Sequence, residues 1–206
     1  MSTQKKSTFQ SDLKKEQRLS KLLDRYYGKH LKNYHFERIA DLTRQMKGID
    51  LIFTHKATAK TFLVDEKAQL DYVNEDLPTF AFELIYYKHG AVKKGWLFDQ
   101  TKKTDFYTLV TAIYTDEPDT FTSCKLTFVN REKLISFLGS RNISRKSLES
   151  IIALNEENHS KLKLETLHPK KEGYLYFSKH NKAEKPVNLV LKLDFLIKNG
   201  MAKRFV

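Results

Sequence analysis

The sequence predicts an α+β or α/β domain with a mixed central β-sheet flanked by helices. Three observations lead there. Apolar residues recur at helical spacing near the N-terminus, short runs rich in aromatic and β-branched residues crowd the middle, and two further helical patterns follow.

The elements follow in order. Residues 1 to about 9 read as a flexible tail. From Ser11 to about Lys32, Leu19, Leu22, Leu23, Tyr26 and Tyr27 form an apolar stripe opposite a strongly basic face, with Gly28 as a candidate break. A second helix is expected from about Tyr34 to Met46, striped by Phe36, Ile39, Leu42 and Met46 and ended by Gly48, which tolerates the turn. Then "IDLIF", "TFLVDEKAQL", "TFAFELIYY", "GWLF", "YTLVTAIY" and "CKLTFV" read as strands, with polar "THKATAK" a hairpin-length connector between the first two. "NREKLISFLGS" and "SRKSLESIIAL" read as helices capped by Asn130 and Ser144. "GYLYFSK" and "VNLVLKL" look like strands and "DFLIKNG" like a short helix. The organisation expected is a basic tail and helix over 1–33, a core over 34–155 and a basic C-terminal extension over 156–206.

The 206 residues, 40% hydrophobic with 14 Phe and 10 Tyr, can build a real core. The single cysteine, Cys124, excludes an intramolecular disulfide framework and thiolate zinc sites, reads as a core thiol, and suits a reducing cytoplasm. No apolar run is long enough to span a bilayer, and no apolar core follows the N-terminal lysines, so neither a membrane span nor a signal peptide is expected. The net charge of +12 is unevenly spread, gathering in "KKEQRLSKLLDRYYGKHLK", "KHGAVKKGW" and "HPKKEGYLYFSKHNKAEKP". It favours a polyanionic partner, and the aromatics interleaved with it suit a nucleic acid. The histidines show no close zinc-type pairing, and there is no nucleophile elbow or phosphate loop.

Chemistry is concentrated in "KGIDLIFTHKATAKTFLVDEKAQ". Side chains alternate across a strand, so Asp65, Lys67 and Gln69 share one face and Val64, Glu66 and Ala68 the other. A face offering Asp, Lys and Gln is not packing a dry core. Pairing through the polar connector brings Asp50 to Asp65. Two close carboxylates repel unless a proton or cation lies between them, and a hard divalent ion such as magnesium suits oxygen ligands. Lys67 then offers positive charge to a phosphate or a developing oxyanion. Glu83, inside the apolar "FAFELIYY", needs a partner and is a candidate for the same site. An Asp–Lys salt bridge on an exposed sheet face is the alternative reading of the same residues.

The arrangement "GID … VDEK" resembles the PD-(D/E)XK nucleases, which have the restriction-endonuclease-like fold, over roughly residues 34–115. Ile49 stands where the family name has proline. The resemblance implies that Asp50 is the first acid, Asp65 the second and Lys67 the lysine, with magnesium or manganese as cofactor. It implies a catalytic part for Gln69 and metal ligation by the backbone carbonyl of Glu66, while the Glu66 side chain points away. Glu37 resembles the helix acid of some members. The expected function is a metal-dependent nuclease acting on DNA or RNA, with a homodimer as the further expectation. A non-catalytic nucleic-acid-binding protein of the same fold and a basic protein-interaction module are the alternatives.

Overall fold

The computed structural model describes residues 8–88, 90–117, 120–155, 157–178 and 184–206. Of the expected tail, residues 1–7 lie outside the described residues, and Thr8 and Phe9 are already helical. Helix α1 (Thr8–His30) runs through Gly28 without a break, and its Leu19, Leu22, Leu23 and Tyr27 are buried.

The second expected helix is the main correction. Tyr34–Arg38 is strand β1, and only Leu42–Met46 is helical (α2), entered at Asp41, whose carboxylate accepts the Arg44 amide at 2.8 Å. The stripe that suggests a helix is not packed as one, since Leu42 and Met46 are 73% and 69% exposed. "YHFER" also alternates, with Tyr34, Phe36 and Arg38 on the less exposed side, and pairing with the next strand selects that period.

Strands β2 (Leu51–His55) and β3 (Thr61–Ala68) follow, then a 3-10 turn at Leu70–Tyr72. Next come β4 (Thr79–Lys88), β5 (Ala91–Lys94), β6 (Phe106–Glu117) and β7 (Thr120–Asn130). "GWLF" is not a strand: it follows β5 as irregular chain, and its apolar character reflects burial, with Leu97 fully inside. Helices α3 (Arg131–Ser140) and α4 (Arg145–Ala153) carry the expected Asn130 and Ser144 caps. The chain ends with β8 (Ser160–Leu162), β9 (Gly173–Phe177), β10 (Val187–Lys192), α5 (Leu193–Lys198) and β11 (Ala202–Arg204).

Among the described residues the strands form two sheets. A mixed six-stranded sheet has the order β1-β2-β3-β6-β7-β11, with β3 and β6 parallel. An antiparallel five-stranded sheet has the order β5-β4-β10-β9-β8. Residues 156–206 therefore supply strands to both sheets, and β10 lies between β4 and β9. One apolar cluster packs α1 on the six-stranded sheet through Tyr27, Leu51, Val64 and Leu126. The other joins the opposite face, at Tyr107, Leu109 and Val129, to Phe82, Leu175 and Leu189 of the second sheet and Leu134 and Leu148 of the helices. Each fully buried aliphatic or Phe side chain contributes roughly 1.5–3 kcal/mol before entropy is counted. Among the described residues no helix is long and apolar enough to cross a membrane.

Candidate active site

The β2–β3 hairpin builds the site. Its register pairs Leu51 with Val64, and the Asp50 amide donates to the Val64 carbonyl at 2.9 Å. One step outward along that antiparallel register, Asp50 comes opposite Asp65, and opposed residues project to the same face. The two carboxyl groups are close enough for the charge of Asp65 to act on Asp50. Asp50 Oδ2 also accepts the Glu66 amide at 2.8 Å. Asp65 is 1% exposed and pairs through Oδ1 with the Lys67 ammonium at 2.5 Å. The ammonium lies 5.5 Å from the Trp96 ring centroid.

The electrostatics follow from this geometry. Burial and then the neighbouring Asp65 push the Asp50 carboxyl up to about 7, against the pull of Lys67 and the Glu66 amide. Burial works against the Lys67 charge, yet Asp65, Asp50 and Glu83 outweigh it and raise its pKa. Lys67 is therefore a held cation, not a base. No donor reaches Asp65 Oδ2, although that atom is buried. A proton on Asp50 or a hard cation is the kind of partner it lacks.

Gly48 allows the chain to turn here. Its φ is +72°, and a Cβ would collide with the Thr104 hydroxyl while lying 3.2 Å from Asp65 Oδ2. Thr104 in turn donates to the Gly48 carbonyl at 2.7 Å, so the loop before β6 is seated against the aspartates. Asp50, Glu66 and Lys67 line a cleft of about 600 Å³ between α1 and α2, with Glu16 and Arg38 on its wall.

The other expected residues are placed as follows. The Glu66 side chain turns to the opposite face, where it accepts from the Tyr27 hydroxyl at 2.7 Å and pairs with Arg38. Gln69 donates its side-chain amide to the Thr79 carbonyl at 2.9 Å, beside β4. Glu83 belongs to β4 and reaches the site through its field at Lys67. Glu37 is not a helix acid: it is exposed on β1, opposite Ile52. Cys124 is buried, and burial pushes its thiol up to about 12, as befits an unreactive core thiol.

Sequence reasoning misses Arg38, Tyr27 and Asp24, which tie the back of β3 to α1. The alternation of "HFER" is the available signal for Arg38. Gly48 reads in the sequence only as a helix end, because its approach to Asp65 depends on the loop carrying Thr104.

Among the described residues no three His, Cys, Asp or Glu side chains are gathered to hold a metal. The two aspartates and the buried unpartnered oxygen nevertheless fit magnesium, which takes one or two carboxylates and keeps several waters. No protein-family model, curated protein or solved structure matches the chain.

Proposed function

We propose that this protein is a metal-dependent nuclease of the PD-(D/E)XK type, with a restriction-endonuclease-like core, that hydrolyses phosphodiester bonds in DNA or RNA. One observation carries the reading: Asp50 and Asp65 meet across adjacent antiparallel strands, with Lys67 charged beside them. An exposed Asp–Lys salt bridge accounts poorly for this, since Asp65 is buried and a second carboxyl group is pressed against it.

Asp50 and Asp65 would hold the magnesium or manganese ion. When bound, the ion would supply Lewis-acid polarisation of the phosphate and lower the pKa of water. Lys67 keeps its proton and faces negative charge that grows on the phosphate oxygens as the nucleophile adds. Asp50 releases its proton in the neutral range, so its carboxylate becomes available to a cation near pH 7. Trp96 fixes the Lys67 ammonium from one side. The net charge of +12 serves to hold the phosphate backbone.

The test is incubation with labelled single-stranded, duplex and branched DNA and RNA, with magnesium, manganese or EDTA. Cleavage that needs the ion and is lost in Asp65→Asn supports the reading. Cleavage unaffected by EDTA overturns it, and binding without cleavage supports the non-catalytic alternative.

A further inference from the structure

Two clefts meet at the end of the six-stranded sheet where β3 and β6 begin. The first is an aromatic hollow of about 450 Å³, lined by Phe53, Phe62, Phe106, Phe128, Tyr34 and Phe205, with Lys133, Lys203 and Arg204 also along it. The second, of about 680 Å³, shares Phe62, Phe106 and Asn130 with the first and adds Lys60 and Lys103. Lys60 lies over the Phe62 ring at 5.1 Å. Lys60, Lys103, Lys133, Lys203 and Arg204 are all exposed, and among the described residues none of them is in an ion pair. The two acids of the second cleft are Asp105, which accepts the Leu63 amide at 2.8 Å, and Glu132.

The geometry points to a binding site for an unpaired stretch of nucleic acid, with a base in the aromatic hollow and phosphates along the five cations. Several unpaired cations spread over both clefts suit a chain of phosphates better than one anionic headgroup. Aromatic rings between them suit a strand whose bases are free to stack on protein, whereas a duplex keeps its bases inside. Asn130 adds an amide to the wall shared by both clefts, with its oxygen already accepting from the Lys133 amide. The surface is joined to the aspartates through the loop before β6: the Lys103 amide donates to the Lys47 carbonyl at 2.8 Å, and Thr104 holds Gly48. The inference deepens the proposed function by naming the form of the substrate.

The test is fluorescence anisotropy in EDTA with a labelled oligo-dT, an abasic strand of equal length and a duplex. The expected result is that oligo-dT binds about tenfold tighter than the abasic strand, as stacking requires. Phe62→Leu, which keeps the apolar bulk, is expected to erase that difference with an unchanged thermal melt. Lys203→Glu with Arg204→Glu is expected to weaken binding about tenfold and to lower the log–log salt slope by about 0.7 for each phosphate that the protein no longer neutralises. Equal affinity for the abasic strand, tighter binding of the duplex, or no binding of oligo-dT overturns the inference. Because binding is read without metal, a strand that binds but is never cut sinks the catalytic reading alone.

Discussion

Arg38 and Glu66 form an ion pair on the face of β3 opposite Asp65, along the wall of the cleft between α1 and α2. The same guanidinium reaches Asp24 of α1 at 2.6 Å, and Glu66 also accepts from the buried Tyr27 hydroxyl. Three elements, α1, β1 and β3, are thus tied at one point, directly behind the amide that holds Asp50. Arg38→Met leaves two carboxylates without their cation. The Glu66 side chain is only 13% exposed, so the expected loss is about 2–3 kcal/mol in urea unfolding, below the full penalty for a wholly buried pair. Adding Glu66→Gln should recover much of it, because the uncompensated charge goes too. A double mutant no more stable than Arg38→Met would show that the pair acts by packing.

Gly48→Ala should destabilise the fold by more than about 1–2 kcal/mol, the cost of left-handed backbone alone. The added methyl also collides with the Thr104 hydroxyl, which is buried and bonded to the Gly48 carbonyl. Thr104→Ala should relieve that collision, so Gly48→Ala should cost less in a Thr104→Ala background. Denaturant unfolding of the three variants checks this.

What the sequence reveals and what it hides follow the reach of each interaction. The β2–β3 hairpin is legible because its strands are consecutive and joined by a short polar connector, and their in-phase residues place Asp65 and Lys67 on one face. The Asn130 and Ser144 caps are legible because a cap is a local hydrogen bond. β1 is misread because "YHFER" satisfies two periods and only pairing with β2 decides between them. "GWLF" is misread because a buried loop segment can be as apolar as a strand. The second sheet is invisible as a unit: β10 pairs with β4 across a separation no periodicity records. The Arg38–Glu66–Tyr27 tie is hidden for the same reason.

Magnesium should stabilise the folded protein through the two aspartates, with no substrate present. Anything that binds only the folded state raises the melting temperature with ligand concentration. The buried Asp65 oxygen without a donor is the atom that gains most. The melting temperature of the unaltered chain is therefore expected to rise with magnesium or manganese, while that of Asp65→Asn stays flat. A shift of equal size in both would place the ion elsewhere.

The pH dependence of stability should carry the signature of Asp50. Its carboxyl is pushed up to about 7 in the folded protein by burial and by Asp65, against about 3.9 in an unfolded chain. Between those values the folded state keeps a proton that the unfolded chain has released. Stability then falls as pH rises, because the native state binds more protons than the unfolded one. In EDTA, the contribution of Asp50 should be fully present below about pH 4 and lost as pH climbs through about 7. Asp50→Asn stays neutral throughout and can still accept the Glu66 amide. Its stability relative to the unaltered chain should therefore increase from pH 5 to pH 8, read as the difference between urea midpoints. A constant difference across that range would mean that Asp50 titrates as an ordinary carboxyl, and that the two aspartates do not share a proton.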